Sequence, residues 1–125
     1  LFLGRWSSEK GLDLLLAALA SVPQAALGDL TLVVAGDGPE RARLEASVHD
    51  LGLRGRVTFI GWVEGPMKQQ LVQSAAFVVL PSRRDAMTLV ALEAGAAGRP
   101  LLLSRACGFP EAAACGGAVE ADPTA

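Results

Sequence analysis

The chain has 125 residues, of which 51% are hydrophobic, and its mean hydropathy is +0.39. Its net charge of −2 argues against attraction to nucleic acid or to an anionic membrane surface. The apolar stretch Leu12–Ala20 contains Asp13 and is too short for the roughly 20 apolar residues of a membrane span. These values favour one globular domain with a single core.

Helical patterns alternate with short apolar runs along the chain. Apolar residues at three- and four-residue spacing predict a helix over Gly11–Ser21, and Pro39 begins a charged amphipathic helix that extends to Leu51. Two more helices are predicted over Met67–Ser74 and Thr88–Ala97. Between the helices, apolar runs predict strands at Leu1–Leu3, Leu30–Ala35, Val57–Ile60, Phe77–Leu80, Leu101–Ser104 and Ala118–Glu120.

Strict alternation of strands and helices predicts an α/β fold. We expect a parallel sheet of five to six strands with helices on both faces, a three-layer α/β/α sandwich. The strands are uniformly apolar, which is typical of a sheet covered on both faces. Ligands in such folds bind beyond the carboxyl ends of the strands, so the loops of interest are 4–10, 36–40, 81–88 and 104–111.

The first loop, Gly4–Gly11, contains two cations at the exit of the first strand. Gly4 permits close approach of a ligand, while Arg5 and Lys10 suit a diphosphate. The alternative is a solvated loop before a helix, in which Glu9 pairs with one of the cations. The loop alone favours neither interpretation.

The second loop superficially resembles a dinucleotide-binding fingerprint. Arg41 stands where its third glycine should be, and the unit is the second of the chain rather than the first. Glycine at a turn followed by Pro39 at the start of a helix explains Gly36–Arg41 without a ligand. A structural turn is the favoured interpretation.

The third loop precedes a helix whose N-terminus would attract phosphate. Glu93 lies about 7 Å along that helix at the usual rise per residue, where its carboxylate could accept hydrogen bonds from ribose hydroxyls. The helix is otherwise apolar, so we expect Glu93 to need a ligand as its partner. Asp85 has a simpler alternative role as the helix cap.

The fourth loop and the cysteines have structural explanations. Packing and helix capping account for Cys107–Glu111. Cys107 and Cys115 lie far in sequence from His49, the single histidine, so their spacing predicts no metal site. We expect free thiols in a reduced, cytoplasmic protein.

Four segments, in this order, resemble the C-terminal domain of GT-B glycosyltransferases of family 4. Leu3–Gly11 is similar to the family's GR-x-S-x-EKG opening and Val34–Glu40 to its AGDGP turn. Val57–Gly61 resembles its third strand, and Leu80–Ser82 the approach to its donor site. The likeness covers nearly the whole chain and implies that residues 1–125 form one Rossmann-like domain, the C-terminal half of a GT-B fold.

The resemblance also implies an activity. Such enzymes transfer a sugar from a nucleotide-diphosphate donor with retention of anomeric configuration, and they require no metal or other cofactor. Here the transfer would be of a hexosyl type. The donor would be held by Gly4, Arg5 and Lys10 at the diphosphate, Glu93 at the ribose, Asp85 at the sugar, and backbone amides of Met87, Thr88 and Leu89 at the phosphates.

The sequence departs from the family at one loop. Family members commonly read Glu-Gly-Phe-Gly where this chain has Asp85-Ala86-Met87-Thr88. Side chains at the two lost glycines restrict the backbone angles there. We interpret the change as a subfamily variant for another donor sugar. The alternative is a degenerate, non-catalytic interaction module.

The resemblance further implies a larger enzyme. Family members bind the acceptor (a glycan, lipid or small molecule) with an N-terminal domain, and the chain stops before the family's final helices. We therefore expect the fragment to be inactive alone, with any membrane contact made through the missing domain. A flavodoxin-like receiver is disfavoured because Gly4-Arg5 stands where it needs acidic residues. An NTPase is disfavoured by the lack of a glycine-rich loop before Lys10.

Overall fold

Parallel strands form the centre of this computed structural model, which describes residues 1–84, 89–107 and 116–121. Within these residues the strands are β1 (Phe2–Leu3), β2 (Leu32–Ala35), β3 (Val57–Gly61), β4 (Val78–Leu80), β5 (Leu101–Ser104) and β6 (Ala118–Ala121). They pair in parallel as β1–β2–β3 and as β4–β5–β6. The predicted α/β class is confirmed.

The two three-stranded sheets meet at β1 and β4. The Val79 N–H donates to the Leu1 carbonyl at 2.9 Å, and the two strands lie side by side. The hydrogen bonding thus forms two adjoining sheets where a single sheet of five to six strands was expected. The physical reason is that β1 is two residues long, which leaves little backbone for a ladder to β4.

Five helices connect the described strands: α1 (Leu12–Ser21), α2 (Gln24–Leu27), α3 (Arg41–Asp50), α4 (Gly65–Ser74) and α5 (Leu89–Ala96). Helix α3 begins two residues after Pro39, because a turn precedes it in which the Arg41 N–H donates to the Gly38 carbonyl at 3.2 Å. Helix α4 begins earlier than predicted, with a proline in its first turn. None of the helices in the described ranges has the length and apolar character to cross a membrane.

Hydrophobic side chains cover both faces of the strands. Phe2 and Val34 pack on one face against α1 and α3, whereas their neighbours Leu3 and Ala35 belong to a second cluster shared with α4 and α5. Adjacent strand residues point to opposite faces, so both faces must be apolar to be buried. This explains the continuous hydrophobic runs in the sequence.

Candidate functional site

The turn after β2 packs directly on the loop after β1. The Trp6 N–H donates to the Asp37 carbonyl at 2.9 Å, and the Glu40 N–H donates to the Trp6 carbonyl at 3.0 Å. A Cβ on Gly36 would overlap the Gly4 carbonyl oxygen, and a Cβ on Gly38 would overlap the backbone of Trp6. Packing therefore requires these glycines, whereas the sequence interpretation explained the turn by its backbone angles alone.

Trp6 anchors the loop after β1 in the core. Its side chain is fully buried, and its ring centroid lies 5.0 Å from that of Phe59 at an interplanar angle of 56°. The Arg41 guanidinium carbon lies 5.9 Å from the Trp6 ring centroid, within the range of a cation–π contact. The sequence interpretation gave Trp6 no role, since it sits in a polar loop with no helical or strand periodicity.

The predicted phosphate-binding residues on this loop lie at the carboxyl end of β1. Gly4 follows the strand directly, and its N–H donates to the Ala35 carbonyl at 3.2 Å. Arg5 is exposed, and Lys10 ends a short 3-10 helix, Ser8–Lys10, that leads into α1. The structure thus places both cations on the loop where the fold predicted a ligand.

Arg83 fastens the loop after β4 to the loop after β1. Its guanidinium donates to both carboxylate oxygens of Asp13, at 2.8 and 2.7 Å, and to the Ser8 carbonyl at 2.7 Å. The Arg83 N–H donates to the Glu9 carbonyl at 2.7 Å. Sequence analysis missed this contact because its partners are 70 residues apart.

We expect the Asp13–Arg83 pair to make stability depend on pH under acidic conditions. Hydrogen bonds from the Arg83 guanidinium hold the pKa of Asp13 below its usual range. The stabilisation is therefore fully present above the unfolded pKa of about 3.9 and is lost as the pH falls through the lower folded value. We expect about 1 kcal/mol, since both side chains are partly exposed to solvent.

Urea titrations between about pH 3 and 6 measure this contribution. Asp13→Asn should lose the pH-dependent increment in the free energy of unfolding that the wild-type chain gains above about pH 4. Glu45→Gln is the matched control, because it removes an exposed ion pair with Arg41 on α3. If Asp13→Asn and the wild-type chain lost stability in parallel as the pH fell, the pair would have no such role.

Glu93 lies on the second turn of α5 and has a protein partner. Its Oε1 lies 3.1 Å from the Lys68 Nζ on α4, and its side chain is 33% exposed. Lys68 thus supplies the charge partner that the sequence argument sought in a ligand, and the ribose contact of Glu93 stays a prediction. Helix α4 runs beside α5 and supplies a cation 25 residues away, which no local pattern could indicate.

A cavity of about 520 Å³ opens between α4 and α5 beside this ion pair. Its walls combine charged and amide side chains with small apolar ones, and include Glu64, Lys68, Gln69, Gln73 and Glu93. Carboxylate and amide groups of this kind accept hydrogen bonds from hydroxyl and N–H donors. The cavity thus offers hydrogen-bond acceptors beside the Lys68–Glu93 ion pair.

The remaining predicted residues divide between described and undescribed parts of the chain. Leu89 begins α5 and is exposed. Asp85, Met87 and Thr88 lie outside the described residues, as do Glu111 and Cys115. Cys107 is a buried free thiol, as predicted, and its Sγ donates to the Leu80 carbonyl at 3.3 Å.

Comparison with known proteins identifies the family. The family described as Glycosyl transferases group 1 matches residues 1–121. This chain belongs to that family. An uncharacterized glycosyltransferase of Methanocaldococcus jannaschii is 39% identical over 111 residues, which cover 89% of this chain and 28% of that protein.

Two solved structures resemble the glycosyltransferase domain closely. WaaG, a glycosyltransferase involved in lipopolysaccharide biosynthesis, superposes with a TM-score of 0.84 at 29% identity, over 97% of this chain and 33% of that one. HepE from Anabaena, in complex with UDP, superposes with a TM-score of 0.83 at 27% identity, over 98% of this chain and 34% of its own. The chain therefore spans only about a third of the length of each of these three proteins.

Proposed function

We propose that this chain is the donor-binding domain of a glycosyltransferase that takes a hexosyl group from a nucleoside-diphosphate sugar with retention of configuration. The observation that carries the proposal is the loop after β1, where Arg5 and Lys10 lie at the carboxyl end of a central strand. Arg83, on the loop after β4, holds this loop in place through its hydrogen bonds to Ser8, Glu9 and Asp13. The UDP bound to the similar Anabaena HepE protein supports a nucleoside diphosphate as the ligand.

The proposed roles divide the donor between two parts of the site. Arg5 and Lys10 hold the diphosphate, and Gly4 allows it to come close to the backbone because glycine has no side chain. The Glu93 carboxylate accepts hydrogen bonds from the ribose hydroxyls. Asp85 contacts the transferred sugar, while backbone amides of Met87, Thr88 and Leu89 face the phosphates. Because two cations neutralise the diphosphate, we expect transfer without a metal ion or other cofactor.

The acceptor side of the reaction belongs to another part of the enzyme in this proposal. The chain is the C-terminal domain of a GT-B enzyme of family 4, and an N-terminal domain binds the glycan, lipid or small-molecule acceptor. The domain alone then binds the donor without turnover. We place the reaction in the cytoplasm, with any membrane contact through the acceptor domain and no role for nucleic acid.

A panel of nucleotides tests the donor site. We expect one of UDP, GDP, ADP and CMP, the first three also as sugar conjugates, to give saturation-transfer NMR signals with this chain. The variants Arg5→Ala, Lys10→Ala and Glu93→Gln should each weaken the binding of that nucleotide by about 1.5–3 kcal/mol, the usual value of a charged hydrogen bond. Isothermal titration calorimetry then measures each dissociation constant.

Glu45→Gln is again the matched control, since it breaks a similar ion pair on α3 and does not line the cavity. Its nucleotide affinity should equal that of the wild-type chain. If Arg5→Ala, Lys10→Ala and Glu93→Gln all bound the nucleotide as tightly as the wild-type chain, the proposed site would be wrong.

A second candidate function is a non-catalytic binding or interaction module. The observation that favours it is Asp85-Ala86-Met87-Thr88, where the family commonly has Glu-Gly-Phe-Gly. A full-length protein that transfers sugar from none of the nucleotide donors, while still binding a protein partner, would support this alternative. Turnover with any one of them would exclude it.

A further inference from the structure

The second half of the loop after β1 is a short turn at the protein surface. It is the 3-10 helix Ser8–Lys10, which is three residues long and has no buried residue. A turn of this kind needs contacts from other parts of the chain, because three residues supply few hydrogen bonds of their own. Trp6 anchors the first half of the loop, whereas the position of Lys10 depends on what holds this turn.

Arg83 holds the turn from the loop after β4. Its guanidinium donates to the Ser8 carbonyl and its backbone N–H donates to the Glu9 carbonyl, both at 2.7 Å. Carbonyls at the end of a helix need such partners from outside the helix. Directly after the turn, Gly11 packs so closely on the Pro81 carbonyl oxygen that an added Cβ would overlap it. The loop after β4 therefore fixes where this turn lies.

Asp13 fixes the guanidinium of Arg83. Both of its carboxylate oxygens accept a hydrogen bond from Arg83, and the Arg43 Nη2 on α3 lies 3.5 Å from the Asp13 Oδ2. A carboxylate that binds two nitrogens of a guanidinium fixes the plane of that group. Asp13 belongs to the first turn of α1, a helix that packs in the core. A series of contacts thus connects α1, through Asp13 and Arg83, with the turn that contains Lys10.

We infer that Asp13 and Arg83 are positioning residues for the donor diphosphate, because they determine where Lys10 lies. This inference rests on the proposed function and adds to Arg5 and Lys10 two residues that act through the loop. A cation that is already held in place binds phosphate with less loss of conformational freedom than a mobile one. Arg83 also lies two residues before Asp85 in the sequence, so the pair connects the diphosphate loop with the loop proposed to contact the sugar.

Asp13→Asn tests the inference, because charge and positioning predict opposite results. The substitution removes a negative charge three residues from Lys10, which by charge alone should strengthen the binding of a phosphate. Loss of positioning should instead weaken UDP binding about three- to tenfold, the cost of ordering one or two flexible side chains. UMP has one phosphate and depends less on the pair of cations, so its affinity should fall by less than about twofold. NMR titration measures both dissociation constants.

Arg83→Lys repeats the test without a change of charge. Lysine keeps the positive charge and the backbone N–H, but it cannot bind both oxygens of Asp13 and the Ser8 carbonyl with one planar group. It should therefore weaken UDP binding more than UMP binding, as Asp13→Asn does. The ratio of the two dissociation constants separates positioning from stability, because partial unfolding of a variant lowers both affinities by the same factor. If the nucleotide panel selects another base, its diphosphate and monophosphate replace UDP and UMP.

Glu45→Gln is the control, because it also removes one negative charge but breaks an exposed ion pair with Arg41 on α3. Its UDP and UMP affinities should equal those of the wild-type chain. If Asp13→Asn and Arg83→Lys bind UDP at least as tightly as the wild-type chain, or lose UDP and UMP affinity equally, the positioning inference is overturned while the proposed donor site stands. If the wild-type chain binds no nucleoside diphosphate of the panel at millimolar concentration, the proposed function and the inference fail together.

Discussion

Replacing Gly11 with alanine is expected to lower the free energy of unfolding by about 2–5 kcal/mol. Gly11 has a φ of +71°, which costs an alanine about 1–2 kcal/mol. An added Cβ would also overlap the Pro81 carbonyl oxygen, and relieving such a backbone clash costs about 1–3 kcal/mol. Urea denaturation of the two chains measures the difference.

Gly52→Ala separates the two costs. Gly52 has nearly the same backbone angle, a φ of +68°, and a Cβ there would meet nothing within 4 Å. This variant should therefore lose only about 1–2 kcal/mol, the cost of the angle alone. Equal losses in Gly11→Ala and Gly52→Ala would mean that Gly11 and Pro81 are not in close contact.

Comparing Gly11→Ala with Gly52→Ala also shows whether the glycine of the motif Glu9-Lys10-Gly11 is needed for packing. The sequence interpretation considered Gly4, the two cations and Glu9 of this loop and gave Gly11 no separate role. In the structure, Gly11 lets the loop after β1 approach Pro81, and Arg83 completes the same junction through Asp13. A motif that looks functional in sequence thus also contains a glycine that is needed for packing.

The elements that the sequence predicted well are those with a local cause. Leucines at helical spacing predicted α1 to within one residue, and Leu101–Ser104 was predicted with its observed bounds as β5. Helix α2 was missed because four residues are too few to show a periodicity. The pairing of β1 with β4 could not be predicted either, because β1 has only two residues and therefore shows no pattern that fixes its neighbours.

Site residues were predictable where the strand order alone places them. Arg5 and Lys10 follow a strand, and the rule for parallel sheets puts them at the ligand edge. The Lys68–Glu93 and Asp13–Arg83 pairs depend on how helices and loops from distant parts of the chain pack together. Sequence reasoning judged Glu93 by its own helix and so lacked the neighbour that supplies Lys68.

The packing around the loop after β1 explains how a short polar segment can hold cations in place. Backbone hydrogen bonds join Trp6 to the turn after β2, and Arg83 joins Ser8 and Glu9 to the loop after β4. Preorganised groups bind a ligand with less loss of entropy than mobile ones. Rigidity of this loop is therefore part of the proposed diphosphate site, and Trp6 is its principal anchor.

Trp6→Ala should consequently destabilise the domain by about 3–5 kcal/mol, the usual cost of truncating a buried tryptophan. The ring belongs to the hydrophobic cluster that includes Phe2, Val34 and Leu44 and contacts Phe59, so its loss leaves a cavity in that cluster. Urea denaturation monitored by circular dichroism measures the change. UDP titration of the folded variant should also show weaker binding, because the loop with Arg5 and Lys10 loses its anchor.

Trp6→Phe is the informative control for this prediction. Within the described parts of the chain the buried Trp6 Nε1 has no hydrogen-bond partner, so phenylalanine keeps much of the packing and loses no polar contact. Its cost should therefore be clearly smaller than that of Trp6→Ala, because phenylalanine leaves a smaller cavity than alanine does. A loss as large as that of Trp6→Ala would show that the indole N–H is engaged in the folded protein. Trp6 would then hold the loop through a polar contact as well as through its volume.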